Sequence, residues 1–87
     1  MQRELTVLNK MGLHARPAAL IVSCANEFQA ELTISKDSEI VDCRSILGLI
    51  TLSAVKGSKL TLHADGSDAI QAADAIEKLF INKFDEE

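Results

Sequence analysis

The sequence predicts an α+β domain, with three helices packed on one face of a four-stranded antiparallel sheet in the order βαββαβα. Two observations carry this. Runs that alternate with period 2 and runs with helical period succeed one another along the chain, separated by turn-length connections. The chain has 87 residues, 47% of them apolar, which suffices for one hydrophobic core and not for two. Residues 1–87 are therefore read as one domain, and this order of elements suits helices gathered on one face of an antiparallel sheet.

The first strand is expected over Gln2 to Asn9, with Leu5 and Val7 on one face and Glu4 and Thr6 on the other. Asn9-Lys10-Met11-Gly12 breaks it, and Gly12 permits a tight turn. The first helix is expected from about Ala15 to Phe28, with Pro17, Leu20, Ile21, Cys24 and Phe28 forming its buried stripe. Glu31 to Ser35 and Ile40 to Cys43 read as a hairpin around the polar turn Lys36-Asp37-Ser38-Glu39. Ser45 is placed to cap a short second helix beginning at Ile46. Lys59 to Asp65 alternates cleanly, with Leu60, Leu62 and Ala64 inward and Thr61 and His63 outward. Ser67 or Asp68 can cap the last helix, whose Ala69, Ala72, Ala73, Ile76, Leu79 and Phe80 keep the helical period. The tail Asp85-Glu86-Glu87 is expected to fray.

Composition excludes several classes of function. A net charge of −4 with neither Trp nor Tyr argues against a nucleic-acid surface, which needs a basic stripe and stacking rings. No run approaches membrane-spanning length, and Met1-Gln2-Arg3-Glu4 is charged rather than an apolar targeting run, so a soluble, cytoplasmic protein is expected. Cys24 and Cys43 read as buried thiols of a reducing compartment, and with His14 and His63 they show no metal-ligand spacing. Neither metal nor cofactor is expected. Partners should be proteins and the chain a monomer.

The chemistry concentrates in Gly12-Leu13-His14-Ala15-Arg16-Pro17-Ala18-Ala19. Pro17 suits a first helical position, so His14 and Arg16 fall at a loop-to-helix junction. Unpaired N–H groups and the positive end of the helix dipole stabilise an anion there, with phosphate the obvious one. The helix N-terminus of Ala15, Pro17 and Ala18 is the expected phosphate cradle. A neutral imidazole at such a place is a competent nucleophile toward a phosphoryl group, and the Arg16 guanidinium can offset the charge it brings. Each residue alone has a plainer reading: His14 as a cap, Arg16 as a solvated charge, Pro17 as a helix start. Their order within five residues is what favours chemistry. Between Arg16 and Glu27 there is no charged residue, so Ala18, Ala19, Val22 and Ser23 leave small or apolar groups on faces that solvent would ordinarily claim. A docking face made of Ala19, Val22 and Ser23, extended by Ile46, Leu47, Leu49 and Ile50, is expected, with some of the latter four in the core.

This motif resembles the active-site signature of the HPr family, the histidine phosphocarriers of the bacterial phosphoenolpyruvate-dependent phosphotransferase system, and the likeness runs over essentially the whole chain. The resemblance implies an open-faced sandwich. It also implies that His14 takes a phosphoryl group on Nδ1 from enzyme I and passes it to an enzyme II A domain, while Arg16 stabilises the charge. Such a protein is a stoichiometric carrier and not an enzyme in the usual sense. Arg44-Ser45-Ile46-Leu47-Gly48-Leu49 resembles the regulatory serine site of relatives that are substrates of HPr kinase/phosphorylase, beside the plain reading of Ser45 as an N-cap. Two departures stand out: Met11 in place of a polar residue before Gly12, and an ending, from Lys78 onward, similar to the nitrogen-related NPr branch. The alternatives are therefore a sugar-transport carrier, a nitrogen-branch regulatory carrier, and a non-catalytic binding regulator on the same fold.

Overall fold

The computed structural model describes residues 1–86. Its elements are β1 (Gln2–Thr6), α1 (Ala15–Ala25), β2 (Glu31–Lys36), β3 (Glu39–Asp42), α2 (Ile46–Thr51), β4 (Lys59–Asp65) and α3 (Ala69–Ile81). The four strands form one antiparallel sheet in the order β1-β4-β2-β3. The predicted order of elements is the observed one.

The pairing register explains the single covered face. Leu5 lies opposite Leu60, Leu62 opposite Ile34, and Ala64 opposite Leu32, and directly opposed residues of an antiparallel pair share a face. All six are buried. Thr33, Thr61 and His63, on the other parity, stay half-exposed. The helices close the core through Ile21 of α1, Leu49 of α2, and Ala72, Ala73, Ile76 and Phe80 of α3.

Element ends depart from the sequence reading where side chains from distant segments intervene. Helix α1 stops at Ala25 rather than running to Phe28, and its buried residues are Pro17, Ala18, Ile21 and Ala25, with Leu20, Cys24 and Phe28 only half-buried against the core. Arg44 accounts for the ending. Its Nη2 donates to the carbonyls of Ala25 and Phe28, 2.8 Å each, satisfying acceptors that a helix end leaves open. Asp68 sits at the N-cap of α3 but makes no cap bond. Its carboxylate instead accepts the N–H groups of Gln29 and Ala30, at 2.9 Å each, and so fixes the link from α1 to β2. Strand β1 ends at Thr6, short of the expected Asn9.

The largest departure is the C-terminal segment. The sequence predicts fraying at Asp85 and Glu86, yet Asp85 closes a turn and the Glu86 carboxylate is hydrogen-bonded; Glu87 lies outside the described residues. Lys83, Phe84 and Asp85 form a turn with φ of 54°, 54° and 58°, three successive left-handed residues without a glycine, each of which costs about 1–2 kcal/mol. Burial of Phe84, whose ring meets that of Phe80 edge-on at 4.9 Å between centroids, offsets much of that cost. The turn carries the chain back toward the start of α1.

Candidate functional site

The loop before α1 is held from both sides. Gly12 has φ +69°, and a Cβ there would lie 2.4 Å from the Ala54 carbonyl oxygen, so only glycine fits. The next residue, Leu13, is buried and donates its N–H to that same oxygen at 2.9 Å. His14 is thereby delivered to the N-cap of α1 in extended conformation, φ −81° and ψ −169°, and its side chain makes no cap bond.

The start of α1 therefore keeps free donors. Among the described residues, the backbone N–H groups of Ala15 and Arg16 have no acceptor, and Pro17 has no N–H to give. Ala18 does not belong to the cradle expected from the sequence: its N–H is taken by the His14 carbonyl at 3.1 Å and its side chain is buried. The Arg16 amide takes its place.

The imidazole of His14 is 38% exposed, and its Nε2 lies 2.6 Å from a carboxylate oxygen of Glu86. The same oxygen stands 3.7 Å from Nη1 of Arg16, which also donates to the Phe84 carbonyl at 3.1 Å. The other Glu86 oxygen accepts from Nδ2 of Asn9 at 2.8 Å, and Nδ2 donates as well to the Gly12 carbonyl at 2.8 Å. Asn9 is fully buried. Burial raises the Glu86 carboxyl's pKa, but the hydrogen bonds from Asn9 and His14 and the positive charges of His14 and Arg16 outweigh it and hold the group below the usual carboxylate range. Asn9, His14, Arg16 and Glu86 thus form one connected network.

Two of these four were missed in the sequence. Asn9 had a signal: the period that turns Leu5 and Val7 inward turns Asn9 inward too, and a buried amide needs partners. Phe84 had one as well, since an aromatic four residues after Phe80 argues for a docked tail. Nothing local to Glu86 distinguishes it from a solvated acid.

The second motif is also built as a helix start. Ser45 is the N-cap of α2, and its Oγ accepts the Gly48 N–H at 3.0 Å. Around the two starts, Ala19, Ser23, Ile46, Leu47 and Ile50 are exposed and Val22 half-exposed. Leu49 is fully buried and belongs to the core cluster, not to a docking face. Ala18, also expected outside, is buried under α1. Met11 and Val55, which the sequence reading left out of that face, are 72% and 68% exposed. Cys24 and Cys43 are both free. Burial, with the Asp42 charge adding to it, pushes the Cys43 thiol up to about 12, so it is inert near neutral pH. No group of residues able to hold a metal ion occurs among the described residues.

Residues 1–82 match the family model described as the phosphorylation site of the phosphotransferase-system HPr component. The chain belongs to the HPr family. Phosphocarrier protein HPr of Treponema pallidum (strain Nichols) is 45% identical over 85 residues, covering 98% of this chain and 97% of that protein. Phosphocarrier protein NPr of Shewanella violacea is 43% identical over 86 residues, covering 99% and 94%. The crystal structure of HPr-C-His from Thermoanaerobacter tengcongensis superposes with a TM-score of 0.94 at 38% identity, over 100% of this chain and 98% of that one. HPr proteins of the phosphotransferase system are carriers rather than catalysts, and the open sheet with three helices seen here is their fold. No helix of the described residues is long and apolar enough to cross a membrane.

Proposed function

We propose that this chain takes a phosphoryl group from phospho-enzyme I on His14 and donates it to an enzyme II A domain, as a cytoplasmic, monomeric, single-domain carrier of the phosphoenolpyruvate-dependent phosphotransferase system. One observation supports it above the rest. His14 stands part-exposed at a helix start where, among the described residues, the amides of Ala15 and Arg16 are unpaired, and a guanidinium shares its carboxylate partner. A phosphoryl group attached there meets donors already in position. The exposed Ala19, Ser23, Ile46, Leu47 and Ile50, with half-exposed Val22, supply a small apolar rim for brief contacts, on the order of 1,200 Å² or less in total. Incubation with phosphoenolpyruvate and enzyme I should place one acid-labile phosphate on the wild type and none on His14→Ala. A wild type that gains none is a binding regulator instead.

The HPr and NPr relatives are nearly equally similar, at 45% and 43% identity, so the branch is decided by which enzyme I and which enzyme II A domain exchange phosphate rapidly with this chain. Ser45 carries a second, regulatory reading. A phosphate on it adds nearly two negative charges at the start of α2, where the helix tolerates them, and beside the exposed Ile46 and Leu47, where a partner would meet them. Acid-stable phosphate added by HPr kinase with ATP to the wild type, and absent from Ser45→Ala, is the expected result.

A further inference from the structure

The contact between Glu86 and His14 bears on which ring nitrogen reacts. A carboxylate is only an acceptor, so at 2.6 Å the Nε2 atom facing it must carry the proton. In the neutral ring this leaves Nδ1 with its lone pair free, and among the described residues Nδ1 has no hydrogen-bond partner. We infer that Glu86 is a positioning residue that holds the His14 imidazole in the Nε2–H tautomer and so aims its Nδ1 lone pair outward for phosphoryl transfer. The inference rests on the carrier reading above.

The carboxylate is itself held in place. Asn9 Nδ2 donates to Glu86 Oε1 and to the Gly12 carbonyl, and with two acceptors facing it the amide cannot be turned the other way round. The Lys83–Asp85 turn, anchored by buried Phe84, fixes the approach of Glu86 from the other side. In the transfer, the Nδ1 lone pair forms a bond to phosphorus as the bond from phosphorus to the donor's leaving atom breaks, its electron pair staying with the donor. No proton has to leave the ring. The product is an imidazolium bearing phosphorus on Nδ1 and hydrogen on Nε2, and its new positive charge faces the Glu86 carboxylate. Return of the group to an acceptor leaves the same neutral tautomer ready for the next cycle.

The arrangement makes an unusual variant informative. In Glu86→Gln the amide oxygen must face the Asn9 donor, so the amide NH₂ faces Nε2 and donates to it. Nε2 is then the acceptor and the proton moves to Nδ1, blocking attack. In Glu86→Ala the ring is merely released. With ¹⁵N-histidine protein at about pH 8, where an ordinary histidine is neutral, two-bond ¹H–¹⁵N correlation should give the Nε2–H pattern for the wild type, a mixture for Glu86→Ala and the Nδ1–H pattern for Glu86→Gln. Initial rates of phosphorylation from phosphoenolpyruvate through enzyme I should fall roughly tenfold in Glu86→Ala and roughly a hundredfold in Glu86→Gln. A role limited to charge predicts equal rates for the two variants, and one limited to tail docking predicts the opposite order, since glutamine keeps more of the native contacts than alanine. Retention of the Nε2–H pattern in Glu86→Gln, or a Glu86→Gln rate equal to or above that of Glu86→Ala, overturns the inference. The two claims fail separately: a wild type that gains no phosphate removes the carrier reading while the tautomer patterns still judge the hold on the ring, and unshifted patterns with a phosphorylated wild type do the reverse.

Discussion

Helices α1 and α2 begin on the same kind of backbone and are finished in opposite ways. Both N-cap residues, His14 and Ser45, are extended. Ser45 turns its oxygen onto the Gly48 N–H and closes its helix from within. His14 makes no such bond, and its ring goes sideways to Glu86 while the amides of Ala15 and Arg16 find no acceptor among the described residues. A serine spends its hydroxyl on stability, whereas the histidine leaves the same position available to a ligand. The loops leading in differ accordingly: α1 depends on a glycine pressed against the Ala54 carbonyl, while α2 is approached through Arg44, whose own side chain is committed to the end of α1.

The sharpest way to break the open start is at its glycine. Gly12→Ala forces both a positive φ and a Cβ onto a backbone oxygen, so urea unfolding should show a loss of roughly 2–4 kcal/mol, accompanied by lower phosphate uptake as His14 shifts. Next comes the closed start: Ser45→Ala removes a cap bond and should cost about 1 kcal/mol in the same measurement. His14→Ala, at the matching position of α1, loses no cap bond and gives up only its part-exposed contact with Glu86, so it should cost no more than about 0.5 kcal/mol. Equal costs at the two caps would dissolve the contrast. The smallest effect concerns pH. Because the Glu86 carboxyl is held below its ordinary value, the stability gained from its contacts is present in full above about pH 4.3, the ordinary glutamate value, and is lost as pH falls through the lower folded value. Amide-exchange protection around Phe84 should decline over that acid range in the wild type and show no such step in Glu86→Ala.

Much of this molecule is legible from local pattern, because most of its elements are decided by period and capping. The strict alternation of Leu60, Leu62 and Ala64 marks β4 within its observed bounds, and Ser45 is recognisable as a cap by chemistry alone. His14 and Arg16 announce themselves through Pro17. What local pattern cannot carry is pairing between distant segments. Arg44 ends α1 from nineteen residues away and Asp68 fixes the start of β2 from thirty-eight, so a helix expected to reach Phe28 stops early and an expected cap serves another element. Leu49 is not distinguishable in the sequence from its exposed neighbours, because a six-residue helix is too short for its periodicity to assign faces. The hold on Asp85 and Glu86 is hidden for a related reason. Three acidic residues in a row have the composition of a frayed segment, and only Phe84, the aromatic just before them, opposes that reading.

The interval from Phe80 through Phe84 to Glu86 works as a gauge. Phe84 has to reach the Phe80 ring and Glu86 the His14 ring at once, so a single insertion or deletion between residues 80 and 86 would forfeit one contact or the other. Relatives that preserve this count should also preserve an amide-bearing residue five positions before the histidine, and those with a different ending should be released from both requirements together.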